Sequence, residues 1–146
     1  MNRVALMSVA ALAIGAASIS AQASKSTVSR IVPAVTRVRM TQAGTVYKFE
    51  PANLTVHPGD VVEFVNVSGF PHNVQFEPAK IPAGAAAVLN HSLTNLSGPM
   101  MLTLNQTLRV SFAGAPAGTY EYFCLPHKAM GMKGVITVAA AGPARR

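Results

Sequence analysis

Apolar and polar residues alternate in short runs along most of this chain. In "VTRVRM" (35–40) Val38 and Met40 fall on one side and Arg37 and Arg39 on the other. In "QTLRVSF" (106–112) Leu108, Val110 and Phe112 oppose Thr107, Arg109 and Ser111. A period of two marks a strand with one buried face. Further runs are "TVYKFE" (45–50), "NLTV" (53–56), "DVVEFVNV" (60–67), "HNVQFE" (72–77), "TYEYFC" (119–124) and "GVITV" (134–138). Pro51, the turn "HPGD" and Gly- or Pro-containing segments divide them. Residues 78–105 break the pattern, being rich in Ala, Gly, Asn and Ser, with a short helix expected near "AAAVLNHSL". Short strands without a long amphipathic helix predict an all-β fold, a Greek-key β-sandwich of about seven or eight strands. Tyr120 fits equally well a tyrosine corner, its hydroxyl returning to the backbone, and an ordinary half-buried strand residue.

The first residues follow a different rule. Arg3 precedes an apolar stretch from Val4 to Ile19, and Ala21-Gln22-Ala23 forms a small-x-small cleavage pattern. The stretch is too short, and too interrupted by Ser and Gly, for a membrane span. Residues 1–23 therefore read as a signal peptide, and the chain as exported, periplasmic or secreted, with no integral membrane span after cleavage. Removing 23 of 146 residues leaves 123, enough for one domain with one core. The formal charge of +7 falls to +6, since Arg3 is the one charge lost. Scattered positives on an exported protein favour acidic protein partners and argue against nucleic acid.

Export makes the cysteine content informative. Cys124 is the single cysteine, and an exposed free thiol in an oxidising compartment would oxidise. It must be buried and inert, or bound to something. His127 and Met132 follow it in "CLPHKAMGM" (124–132), with Gly131 allowing the chain to fold back. Thiolate, imidazole and thioether form a soft donor set that suits copper; zinc sites rarely use Met and usually take more thiolates or histidines. Two histidines, one cysteine and a distant axial Met make a blue-copper site, so a second histidine is required. His72 in "GFPHNVQFE" lies 52 residues before Cys124, a span that a folded sandwich would close. His57 in the turn "HPGD" reads as solvated, and His91 as exposed in the irregular region. His72 alone would be more simply a core-edge histidine; with the Cys–His–Met cluster in the same chain, the ligand reading is the better one.

The segments "GFPHNVQFE", "APAGTYEYFC" and "CLPHKAMGMKGVITV" resemble plastocyanin, and more broadly the small blue-copper cupredoxins. The similarity runs from about Gly44 to Val138, and "HKAMGM" is also reminiscent of pseudoazurins. The resemblance implies one copper ion, Cu(I)/Cu(II), held by His72, Cys124, His127 and Met132. It implies that the Asn73 amide donates to the cysteine sulfur, while Pro126 removes an amide beside it and keeps the site drier. Met130 is the rival axial residue, but its spacing from His127 is short for the family, and it reads as an apolar loop residue. The domain expectation is a tether and possible first strand over 24–42, a cupredoxin copper-binding domain over 43–139, and a tail over 140–146.

The function implied is one-electron transfer without enzyme activity. His127 would be the exit, through an apolar patch of Pro71, Leu125, Pro126, Ala129 and Met130. Partners would be transient redox proteins, a cytochrome or terminal oxidase with an acidic face, meeting a monomer whose loop is flanked by Lys128 and Lys133. Copper delivery or buffering without redox turnover is the alternative. Two departures from plastocyanin bear on the partner: Phe123 stands where the family usually has tyrosine, and acidic runs are missing around "FEPAKIPAG" and "NHSLTNLSG", where Glu77 is the one acid. Five Asn-x-Ser/Thr triplets (Asn53, Asn66, Asn90, Asn95, Asn105) are what an Asn- and Thr-rich β protein contains by composition, and do not signal glycosylation.

Overall fold

Val38 and Met40 are fully buried, and Arg37 and Arg39, which alternate with them, are exposed, so the alternation written in the first strand survives in three dimensions. The computed structural model describes residues 32–140; the expected signal peptide, most of the tether and the tail beyond 140 lie outside the described residues. The strands are β1 (Val35–Ala43), β2 (Val46–Glu50), β3 (Asn53–Val56), β4 (Val61–Asn66), β5 (Gln75–Phe76), β6 (Thr107–Ser111), β7 (Gly118–Phe123) and β8 (Lys133–Val138). The short helix α1 covers Ala85–Leu89, inside the stretch where the sequence suggests one. Two four-stranded sheets result, ordered β2-β1-β4-β6 and β3-β8-β7-β5. The pairs β1–β4 and β3–β8 are parallel, so the chain crosses between sheets instead of running as simple hairpins. β1 lies between β2 and β4, so the segment read as a possible first strand takes a central place in its sheet.

Inward side chains of both sheets meet in one aromatic-rich core. Phe49, Phe64 and Tyr122 pack edge to face, with centroids 4.7 to 6.0 Å apart, and Phe76, Phe112 and Tyr120 continue the cluster. Such pairs add about 0.5–1.5 kcal/mol each beyond their area burial. Both buried tyrosines satisfy their hydroxyls: Tyr120 donates to the Pro116 carbonyl at 2.6 Å and Tyr122 to the Ala52 carbonyl at 2.9 Å. The first of these is the closure of a tyrosine corner. On the outer face, Glu63 of β4 is paired with Arg37 of β1 at 2.9 Å and lies 3.7 Å from Arg109 of β6.

Strand β5 is shorter than the run "HNVQFE" suggests, and the reason leads to the site. His72, Asn73 and Val74 are all buried, so strict alternation has already failed there. His72 instead exchanges two backbone hydrogen bonds with Met101, at 3.0 and 2.7 Å, and Gly98 donates to the Val74 carbonyl at 2.8 Å. The irregular region is thereby fastened against the segment that carries His72.

Candidate metal centre

Cys124 follows directly on β7, and a 3-10 turn over Leu125–Met130 comes next, with Pro126 in its first turn. Proline suits that position, because an amide there has no partner within the turn. Gly131 closes the turn at φ 84°, a left-handed conformation that favours glycine. Met132 is then returned to the start: its carbonyl accepts from the Cys124 amide at 3.1 Å, and its amide donates to the His127 carbonyl at 3.2 Å. The loop is a small closed frame that presents three side chains inward.

His72 arrives from the opposite side. Its Nδ1 lies 3.7 Å from the Cys124 sulfur, and Nδ1 of His127 lies 3.3 Å from it. The donor atoms of His72, Cys124 and His127 are all within 4.8 Å of one another. His72, Cys124 and Met132 are 0% exposed and His127 is 8% exposed, whereas Met130 is 55% exposed. The buried thioether beside the cluster is thus that of Met132. His57 and His91, read as solvated, are exposed.

Asn73 ties the two halves together. Its amide points at the Cys124 sulfur across 3.5 Å, and its Oδ1 accepts from the Leu125 amide at 2.7 Å. Tyr47 of β2 stacks on the His127 ring, with centroids 3.8 Å apart and planes 11° from parallel. Nothing in the local pattern of "TVYKFE" signals that contact, because it depends on the β1–β2 hairpin reaching the far loop. Lys128, one of the two lysines that flank the loop, has a partner of its own. It pairs with Glu77 at 2.9 Å and lies 3.8 Å from the centroid of Phe123.

Electrostatics prepares the donors for a cation. Burial, with a contribution from nearby His127, lowers the His72 pKa to about 4, and burial lowers that of His127. Both imidazoles are neutral at pH 7, with lone pairs available. Burial raises the Cys124 thiol, against the backbone amides of Asn73 and His127, which favour the thiolate. Cys124, once its sulfur lost the proton, would offer a soft cation a thiolate, with the neutral nitrogens of His72 and His127 and the Met132 thioether beside it. The donor set fits copper: one thiolate, two imidazoles and a thioether, enclosed and without a carboxylate.

Residues 36–139 match the family described as copper binding proteins, plastocyanin/azurin family. The chain belongs to the plastocyanin/azurin family. Within that family it is 44% identical over 94 residues to a plastocyanin of Nostoc punctiforme, covering 62% of this chain and 63% of the relative. It is 42% identical over 92 residues to a chloroplastic plastocyanin of Physcomitrium patens, covering 62% of this chain and 50% of that protein. The match thus spans between half and two thirds of these two relatives. Among solved structures, oxidised plastocyanin of the fern Dryopteris crassirhizoma aligns with a TM-score of 0.57 at 31% identity, over 71% of this chain and all of that one. Pseudoazurin of Methylobacterium extorquens aligns with a TM-score of 0.52 at 25% identity, over 73% of this chain and 76% of that one. The family binds copper, and in this plastocyanin/azurin-family protein His72, Cys124, His127 and Met132 are arranged as a type 1 copper site.

The residues of the apolar patch read from the sequence lie at the surface. Pro71, Leu125, Pro126, Ala129 and Met130 are exposed. Phe70, Met100, Leu102 and Leu104, outside the cysteine loop, are exposed as well. From the sequence Met100 reads as packing; in the fold it is exposed, and the Met101–His72 bridge brings its segment alongside Pro71.

Proposed function

We propose that this protein is an exported one-electron carrier that holds one copper ion through His72, Cys124, His127 and Met132. When bound, copper supplies a Cu(I)/Cu(II) couple. One observation supports this reading above the others: of the four donors, His127 alone reaches the surface, among exposed apolar side chains, while the other three are fully enclosed. An enclosed donor set keeps water and exchanging ligands away, and one surface edge provides a short route to a partner. Delivery or buffering favours the opposite arrangement, with donors accessible to a receiving protein.

The backbone frame of the cysteine loop, the Asn73 staple and the Tyr47 stack each restrain a donor side chain. A restrained set changes little between two oxidation states, which is what rapid transfer needs. The patch of Pro71, Leu125, Pro126, Ala129 and Met130 excludes water around His127 and suits a small, transient interface. A cytochrome or terminal oxidase with an acidic face is the partner favoured by the net positive charge. Export follows from the leader-like residues 1–23, and no helix among the described residues is long and apolar enough to cross a membrane.

Adding Cu(II) to the purified metal-free protein tests the reading. The expected result is an intense blue absorption from copper–thiolate charge transfer, lost in Cys124→Ser, followed by bleaching when a reduced cytochrome is mixed in. A colourless product overturns the copper assignment. A blue product that no cytochrome reduces or oxidises overturns electron transfer.

A further inference from the structure

Ser68 lies in the turn between β4 and His72. Its hydroxyl oxygen is 2.8 Å from His72 Nε2, 3.1 Å from Asn66 Oδ1 and 3.2 Å from the Phe70 amide nitrogen. A serine hydroxyl has one proton. The atom that receives this proton decides which ring nitrogen of His72 carries hydrogen.

Asn66 determines the answer. It is fully buried, and its Nδ2 donates to the carbonyls of Phe70 at 2.7 Å and Met101 at 3.2 Å. Its Oδ1 accepts from the amides of Ser68 at 3.2 Å and Gly69 at 3.0 Å. Backbone groups cannot exchange the roles of donor and acceptor, so these four hold the side-chain amide in one orientation. Its oxygen faces Ser68. An amide oxygen only accepts, so the Ser68 proton goes to Oδ1. The Phe70 amide donates to the hydroxyl oxygen, and the remaining neighbour, Nε2 of His72, must donate to it too. Reversing the last bond would press the hydroxyl oxygen and Oδ1 together as two acceptors with no proton between them, beside a fully buried ring.

We propose that Ser68 is the positioning residue for His72. Its hydroxyl, oriented by buried Asn66, holds His72 as the Nε2–H tautomer and directs the bare Nδ1 toward Cys124. The inference rests on the reading of His72 as a copper ligand. It distinguishes the two histidines. His127 is held by the flat stack with Tyr47, and among the described residues no hydrogen bond reaches its Nε2. His72 is held by a hydrogen bond whose direction is set two residues further out. Outer partners of this kind orient a ligating histidine and raise its basicity, and their loss typically lowers metal affinity about 10- to 100-fold.

The test uses the full chain labelled with nitrogen-15 at histidine, as wild type, Ser68→Ala and Ser68→Thr. Ring nitrogen shifts of the metal-free protein report the tautomer, and exchange of the ring proton in the Cu(I) form reports the hydrogen bond. The wild type should show His72 as Nε2–H with a slowly exchanging ring proton. Ser68→Ala should show mixed tautomers, fast exchange and Cu(II) affinity about 10- to 100-fold lower. Ser68→Thr, which keeps the hydroxyl, should restore all three. A wild-type His72 carrying its proton on Nδ1 overturns the proposal, and this measurement does not depend on the alanine variant folding. So does a folded Ser68→Ala with unchanged tautomer, exchange and affinity. A wild type with the Nε2–H tautomer that takes up no copper overturns the ligand reading instead, leaving the Asn66–Ser68–His72 network standing.

Discussion

Two methionines two residues apart illustrate how a single position acquires its role. Met130 and Met132 have the same chemistry, but one lies at the surface and the other is enclosed beside His72, Cys124 and His127. Gly131 separates them in a left-handed conformation, which turns successive side chains in opposite senses. A buried thioether is a weak axial donor that favours Cu(II) over Cu(I) slightly, so its loss should raise the reduction potential. Met132→Leu is therefore expected to stay blue with a higher potential, and Met130→Leu to leave the potential near that of the wild type. Voltammetry of the two variants separates them, and the reverse ranking would make Met130 the axial residue.

At the scale of elements, the sandwich depends on close approach where β8 passes Tyr122. A Cβ on Gly134 would collide with the Ala52 carbonyl and the Tyr122 ring, the two partners in the hydrogen bond at 2.9 Å. The carbonyl belongs to the backbone and the tyrosine is fully enclosed by Phe49, Phe64 and Phe76, so neither has room to yield. Gly134→Ala should destabilise the protein by about 1–3 kcal/mol through overpacking. Urea unfolding would show this as a lower midpoint with an unchanged slope. Because Gly134 is two residues from Met132, the blue spectrum of the variant shows whether the strain stays in β8 or reaches the site.

Across the whole molecule, charge and protonation decide behaviour. The described residues carry seven lysines and arginines (Arg37, Arg39, Lys48, Lys80, Arg109, Lys128, Lys133) against all five acids, a difference of +2. The other five, Arg3, Lys25, Arg30, Arg145 and Arg146, lie outside them and carry the rest of the net positive charge. With Lys128 held by Glu77, Lys133 is the cation beside the cysteine loop that makes no ion pair among the described residues. Lys133→Gln should slow exchange with an acidic cytochrome by a factor on the order of a few at low salt, with little effect once salt screens beyond about 8 Å. Stopped-flow mixing across a salt series checks this, and faster, salt-suppressed exchange with a basic cytochrome would reverse the sign assigned to the docking face. Protonation acts on stability. His72 has a folded pKa of about 4 against an ordinary 6.5, so the unfolded chain binds more protons between those values. Stability of the metal-free protein should fall as pH drops through that window. Asp60 adds to the same trend at lower pH: the His57 amide is the main cause holding its carboxyl below the ordinary value of 3.8, so its contribution is lost as pH falls further. Urea midpoints of the metal-free protein from pH 8 to pH 4 should decline toward acid; a flat profile would contradict the buried, neutral His72.

The chain by itself determined what depends on residue type and short spacing. Strand alternation at Val38 and Met40 or Leu108 and Val110 follows from a two-residue period, and the Cys–x–x–His–x–x–x–x–Met cluster lies within one loop. Both are local, so both were legible. The tertiary structure alone decided what depends on groups distant in sequence. Asn73 and Leu125, 52 residues apart, meet only after two loops fold over the same end of the sandwich. The same is true of Tyr47 on His127 and of Lys128 with Glu77. The shortness of β5 also came from afar, since the backbone of His72 pairs with Met101. Ser68 shows the limit most plainly: four residues from His72, it reads as a turn serine, and the direction of its proton is set only when buried Asn66 is held by the backbone of two different segments.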